Sequence, residues 1–317
     1  MRGIRRGPIT MLAAVACLAA LAAAPAITAS ASAATTTSIC TSGRHPFIAR
    51  RMSRGITAVL AARPSSFVGL AASDPAAHIT CAFHQWRHFY SASVVKVTIL
   101  SALLFKEGRP GLLTSTQRTL AREMITQSSN SAATALWDEV GLTDLQHFLD
   151  AAGMNTTVLN GRAWGLTLIT AHDELTLLNL LTTPGTVLNG RSRDYVLQLM
   201  AEVIPTERWG VSAGAPAGVT VHIKNGWLPY PGGNDWRINS IGAFTGTGIT
   251  YQMAILTGPP AGGSQSEGYG ITTVERVAAV INTKLAEIPA ATTAAPASSP
   301  PPSPAAPTSS ELHAPGG

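Results

Sequence analysis

Charge is scarce in this chain. Of 317 residues only 12% are Asp, Glu, Lys or Arg, and lysine occurs at just four positions, Lys96, Lys106, Lys224 and Lys284. The net charge of +5 rests on scattered arginines, several of them near the start. No basic stripe with interleaved aromatics is present, so nucleic acid is not an expected partner. Cysteine is nearly absent: Cys17, Cys40 and Cys81 have spacings that match no zinc pattern, and neither metal nor cofactor is expected. No internal repeat is visible, which removes solenoids and propellers.

Both ends read differently from the middle. Arg2, Arg5 and Arg6 precede an almost wholly apolar stretch from Pro8 to Ile27, followed by Ala29-Ser30-Ala31 and Ala31-Ser32-Ala33. This is the pattern of a secretory signal over residues 1–33, and a secreted protein is expected. Pro25 and the small residues after it argue against a membrane anchor. At the other end, residues 289–317 are Pro, Ala, Ser and Thr with little charge, a composition that cannot offset its ordering entropy. That tail reads as a cell-wall spacer or a solubilising end. Between a short arm, 34–45, and this tail lies one folded unit, 46–288, long enough for one large domain. Cys40 and Cys81 remain after export, and one disulfide or two buried thiols are both open.

The central pattern is mixed. Helical spacing from Pro46 to Ala62 is followed by two strand-like runs, Ser66–Ala72 and His78–His84, with Asp74-Pro75 as the turn. A helix-length apolar run, Val94–Phe105, comes next. Amphipathic stretches fill Thr116–Thr126, Ser131–Val140, Asp144–Ala152, Asp173–Leu181 and Arg193–Val203. Strands return at Thr220–Asn225, Arg237–Phe244 and Thr250–Thr257, and a helix from Thr272 to Leu285 ends the unit. An antiparallel sheet closed by both chain ends, with a helical insertion, is the expected α/β (α+β) architecture.

Two of the four lysines complete a chemical signature. Ser93-Val94-Val95-Lys96 reads S-x-x-K, Ser128-Ser129-Asn130 reads S-x-N, and Lys224-Asn225-Gly226 reads K-x-G. Three residues apart on a helix, Ser93 and Lys96 share a face. A serine hydroxyl is a weak nucleophile at neutral pH and needs a neutral amine to take its proton. Burial and a second cation, Lys224, lower a lysine pKa toward that condition. Ser128 is placed to relay a proton to a leaving nitrogen, and Asn130 to bind a substrate amide and the Lys96 amine. Gly226 leaves a strand edge unobstructed for an extended substrate. The backbone N–H groups of Ser93 and Trp227 are the expected oxyanion donors. Each motif has a plain structural alternative: an accidental S-x-x-K, a helix cap at Ser128–Asn130, a hairpin turn at Asn225-Gly226.

Taken together, the three motifs resemble those of the class A β-lactamase-like serine hydrolases, within the penicillin-binding superfamily. Phe89 to Lys96 matches the nucleophile segment and Met124 to Ala133 the second-motif helix, within a similarity running from about Pro46 to Glu287. The resemblance implies a five-stranded antiparallel sheet flanked by helices plus an all-helical lobe. It also implies a monomer that opens a β-lactam or a peptidoglycan-peptide amide through an acyl-enzyme, without a metal. A D-Ala-D-Ala-type peptidase or transpeptidase is the neighbouring activity, and a non-enzymatic cell-wall peptide binder the alternative.

Two positions depart from the family. Hydrolytic members carry a loop glutamate that activates the deacylating water, whereas Ala151 to His172 contains no Asp or Glu. Asn225 stands where a Thr or Ser hydroxyl usually receives the substrate carboxylate. Arg237 on the next strand is a candidate compensating residue, with a surface arginine as the alternative. His172 and His222 are candidate substitute bases. Gly210-Val211-Ser212-Ala213-Gly214 fits G-x-S-x-G, but it lacks the strand before it and the helix after it that a nucleophile elbow needs.

Overall fold

The computed structural model describes residues 38–230 and 235–289. The expected leader, residues 34–37 of the arm and the tail from residue 290 lie outside the described residues. The chain opens with β1 (Cys40–Ser42), α1 (Pro46–Ala61), β2 (Phe67–Asp74), β3 (Ile79–Phe83) and β4 (Phe89–Tyr90). The helical lobe follows: α2 (Val95–Glu107), α3 (Ser115–Thr126) and α4 (Asn130–Ala152), which breaks at Gly141. Then come β5 (Leu168–Ile169), α5 (Ala171–Thr182) and α6 (Gly190–Ala201). The chain returns through β6 (Thr220–Pro229), β7 (Trp236–Gly246) and β8 (Ile249–Gly258) to α7 (Glu267–Leu285).

One sheet carries the order β1-β3-β2-β8-β7-β6, with every neighbouring pair antiparallel. It has six strands where the resemblance implied five. The extra strand is β1, part of the expected arm, which pairs Cys40 with Cys81 and is joined there by a disulfide. Of the two states left open for these cysteines, the structure has the bonded one. A second, two-stranded ribbon of β4 and β5 ties the approach to Ser93 to the acid-free loop.

Helices α1 and α7 pack on each other and α7 covers β7 and β8, whereas α5 packs against β2 and β8. The close approach of α1 to α7 requires Gly55, since a Cβ there would lie 2.8 Å from Val280. Helix α2 is apolar on nearly every side, and residues 95–104 are all buried, as a central helix requires. It packs against α4 and brings its N-terminal end to β6. Three elements therefore end at one place: the start of α2, the start of α4 and the middle of β6. β6 is also the edge of the sheet. Among the described residues, no helix is long and apolar enough to cross a membrane.

Candidate active site

Ser93 lies in a 3₁₀ turn, Ala92–Val94, that feeds α2, at the helix start where it is expected. The turn is held on three sides. Ser91 N–H donates to Thr167 O at 2.8 Å, and Asn239 Nδ2 on β7 donates to Tyr90 O and Ser91 O at 2.8 and 3.1 Å. Gly226 on β6 completes the enclosure: a Cβ there would fall 2.7 Å from Ser93 N, 2.8 Å from Val94 N and 2.9 Å from Ser91 O. The glycine of K-x-G therefore admits the nucleophile turn itself against the strand. Ala92 (φ 48) and Ser128 (φ 56) both adopt the left-handed conformation without being glycine, which costs of order 1–3 kcal/mol each.

Lys96, in the first turn of α2, is fully buried, and so is Lys224 on β6. Lys96 Nζ donates to Ser128 O at 2.6 Å, to Asn130 Oδ1 at 2.8 Å and to Ser128 Oγ at 3.3 Å. Lys224 Nζ donates to the same Ser128 Oγ at 2.8 Å and to Asn225 O at 3.0 Å. Ser128 sits between α3 and α4, and its neighbour Ser129 caps α4 by accepting from Ala132 N–H. The cap and the chemistry coexist in one tripeptide. A hydroxyl that accepts from two ammonium groups keeps its own proton free to point into the groove. Burial, and then the Lys224 charge, lower the Lys96 pKa to about 7. Burial lowers that of Lys224 to about 8. Glu207 opposes both shifts through its charge. Among the described residues no hydrogen bond engages the Ser93 hydroxyl, so it is free for a substrate.

A groove of about 450 Å³ opens beside Ser93, with Asn130, Trp137, Trp164 and Trp227 in its walls. Trp164, from the loop without acids, lays its ring 4.8 Å from Lys96 Nζ and donates Nε1–H to Thr134 Oγ1 at 3.1 Å. The next acids along the chain belong to α5. Asp173 accepts from Thr156 N–H at 2.9 Å and Thr157 Oγ1 at 2.8 Å. Glu174 is fully buried with both oxygens unpartnered, and burial, reinforced by the Asp173 charge, raises its pKa to about 8. Of the two histidines considered as bases, His222 has both ring nitrogens engaged, with Leu197 O at 2.7 Å and Thr245 Oγ1 at 2.8 Å. His172 stacks on Trp86 beside Asp173. A larger cavity of about 600 Å³ near Arg44, Asp74 and Leu285 holds no nucleophile beside a base.

One expected binding residue is placed elsewhere. Asn225 alternates with Lys224 along β6 and so projects to the opposite face of the sheet. Its Nδ2 donates to Glu207 O and Trp209 O, both at 2.8 Å, and its Oδ1 accepts from Ser240 Oγ at 2.5 Å. With both N–H groups committed and 1% exposure, it presents no donor to a substrate. Arg237 shares the face of Lys224, since its cross-strand partner is Leu228, but it is buried against the rings of Tyr90 and Tyr230. It is therefore not a surface arginine, and its Nη2 has no hydrogen-bond partner among the described residues. The G-x-S-x-G stretch is an irregular segment in which Ser212 Oγ donates to Arg208 O. The sequence reading did not single out Trp164, Asn239 or Glu207. No periodic pattern marks them, and each gains its place only from the tertiary fold. Among the described residues, no cluster of three or more His, Cys, Asp or Glu is arranged to hold a metal.

Comparison with solved structures gives the same architecture. A class A β-lactamase from Bacteroides cellulosilyticus DSM 14838 superposes with a TM-score of 0.64 at 16% identity, covering 75% of this chain and 98% of that one. PBP-A superposes with 0.63 at 20% identity, covering 75% and 96%. A mutant of PBP-A, solved as an acyl-enzyme complex with penicillin G, gives 0.61 at 19% identity, covering 75% and 97%. At such identities the likeness is one of fold. No curated protein matches the chain. A family model described as the β-lactamase enzyme family matches residues 105–285, more than half of the chain, from the end of α2 through Ser128 and Lys224 to α7. By that match and by its fold, the chain belongs to the β-lactamase enzyme family.

Proposed function

We propose that this protein is an exported serine hydrolase whose Ser93 is acylated by a strained or activated amide, and whose acyl-enzyme is long-lived. The observation that carries the reading is the single hydroxyl of Ser128 bonded to both Lys96 and Lys224 beside an unengaged Ser93. Lys96, neutral for part of the time near pH 7, takes the Ser93 proton as Oγ attacks the carbonyl. The N–H groups of Ser93 and Trp227 hold the oxyanion. The C–N bond then breaks as Ser128 gives its proton to the departing nitrogen and regains one from Lys224. The products are acyl-Ser93 and a free amine. Before attack, Lys96 turns from Ser128 and Asn130 toward Ser93, a shift within the reach of its flexible stem.

Slow release follows from the other side of the groove. Trp164 supplies an apolar ring where a water-activating base would have to stand, and the acids Asp173 and Glu174 are buried in α5. Losing a general base slows a step by about 10²–10⁴-fold. The acyl-enzyme named for a PBP-A mutant supports β-lactams as acyl donors, with cell-wall peptides as the neighbouring class. The Cys40–Cys81 disulfide supports export to an oxidising compartment.

The test is intact mass of the mature protein through time after adding penicillin G, with Ser93→Ala as control. A persistent adduct absent from the control is the expected result. Rapid return to the free mass with accumulating product overturns slow deacylation. No adduct from penicillin G or from a small sulfonyl fluoride overturns the serine-acylation reading itself.

A further inference from the structure

The groove beside Ser93 runs to one side of the reacting groups. Ser93 and Asn130 line it, whereas Ser128 and Lys224 are not among its lining residues. In the proposed acylation the departing nitrogen must reach Ser128 Oγ, which accepts from Lys224 Nζ at 2.8 Å. The leaving group therefore lies on the Ser128 side of Ser93. The other half of the substrate, its acyl group, is what the groove receives.

Apolar side chains wall this groove, and the fold holds them in place. Asn130, Thr134, Trp137 and Asp138 recur at helical spacing, so one stripe of α4 faces it. The loop between α4 and β5 adds Trp164 and Leu166, and β6 adds Leu228 from the Lys224 face. Trp164 is pre-set: Nε1–H donates to Thr134 Oγ1 at 3.1 Å, and the ring lies 4.8 Å from Lys96 Nζ. A ring held before binding costs little to order around a ligand. Trp227 also reaches the lining, but alternation along β6 turns its ring to the Asn225 face, where it packs edge-on against Trp209 at 5.8 Å. Leu166 keeps 38% exposure at the groove, apolar surface that a ligand would remove from water. The charged side chains in the lining, Asp138 and Arg162, are both exposed and opposite in sign, so their sum favours no ionic acyl group. The volume of about 450 Å³ lies within the range of small-molecule pockets and is far more than an acetyl group fills.

We infer that Trp137, Trp164 and Leu166 form a specificity-determining wall that selects acyl donors whose acyl group ends in an aromatic ring system. A flat ring laid against the indoles covers Leu166 and gains apolar burial and ring–ring contact that a short acyl group does not. This rests on the proposal that Ser93 is acylated, and it deepens that reading by naming the acyl half of the donor.

Two thioesters with the same reacting carbonyl and the same leaving thiol test it: N-acetylglycyl thioglycolate and N-(2-naphthoyl)glycyl thioglycolate. Ser93 Oγ bonds to the glycyl carbonyl carbon, the C–S bond breaks, and the sulfur leaves as a thiol carrying one proton. Acylation at low probe concentration is followed by thiol release and intact mass, in the wild-type protein and in Trp164→Ala, with Ser93→Ala as the background. The wild type is expected to react about tenfold or more faster with the naphthoyl probe, the scale of filling an apolar pocket. Trp164→Ala is expected to narrow that ratio to within about threefold, since it removes one face of the wall. Equal rates in the wild type, or a ratio unchanged in the variant, overturn the acyl-side wall while leaving serine acylation standing. The wild-type ratio needs no variant, so a poorly folded Trp164→Ala does not block the decision. Failure of both probes to label Ser93 overturns the acylation reading and this inference together.

Discussion

The two walls of the groove are built on opposite principles. The strand wall is polar and saturated: Lys224, Ser128, Lys96 and Asn130 form one continuous chain of hydrogen bonds behind Ser93. The loop wall is aromatic, with Trp164 tethered to Thr134 and lying over Lys96 without any acid of its own. Proton transfer needs donors and acceptors in contact. A wall of rings excludes water and orients a substrate but moves no protons. Under the proposed acylation of Ser93, attack and release are served by separate segments of one fold.

The comparison breaks most sharply if the strand wall is cut. Lys96→Ala is expected to lower the rate of Ser93 acylation by about 10²–10⁴-fold, read by adduct formation against time. An unchanged rate would falsify Lys96 as the base. Next in size is a change to the loop wall. Trp164→Glu places a carboxylate above Lys96, and adduct decay is expected to quicken by about 10²-fold or more. A decay rate equal to wild type would show that the aromatic wall is not what limits release.

The pH profile sharpens the contrast more gently. Acylation is expected to rise about tenfold per unit below pH 7, as Lys96 loses its proton. It is expected to decline above about 8, as Lys224 loses the proton that Ser128 must regain. The two apparent values belong to the coupled pair. A flat profile from pH 5 to 9 would contradict the arrangement. The smallest expected effect on chemistry comes from far away. Cys40→Ala with Cys81→Ala opens a link across 41 residues and should cost about 2–4 kcal/mol of stability in a chemical-denaturant titration. Acylation of the still-folded protein should be unchanged.

Much of this was legible in the sequence, for identifiable reasons. The strand α-helix order followed from periodicity, because the helices carry apolar stripes and the strands alternate. The site lysines were found because lysine is rare and both sit in spaced motifs. What escaped had no local signal. β1, β4 and β5 are two or three residues long, too short for any period to register. Ser93 was expected at a helix start, but three-residue spacing does not distinguish an α-turn from the 3₁₀ turn that leads into α2. β6 was read as ending at Asn225, since Asn-Gly suggests a turn, yet it runs to Pro229 because the nucleophile turn packs against Gly226. Asn225 was expected to face a substrate. Alternation along β6 turns it away, toward acceptors on a segment whose position no residue pattern announced.

The left-handed backbone at Ala92 and Ser128 has a consequence for the chain as a whole. Both residues sit next to or within the reacting groups, and both hold conformations that glycine would adopt without cost. Ordinary selection for thermal robustness would pull Ala92 and Ser128 toward glycine, and for Ser128 that step removes the hydroxyl shared by the two lysines. Durability and the shared hydroxyl therefore compete at Ser128, where glycine would relieve the backbone but remove the bond to both lysines.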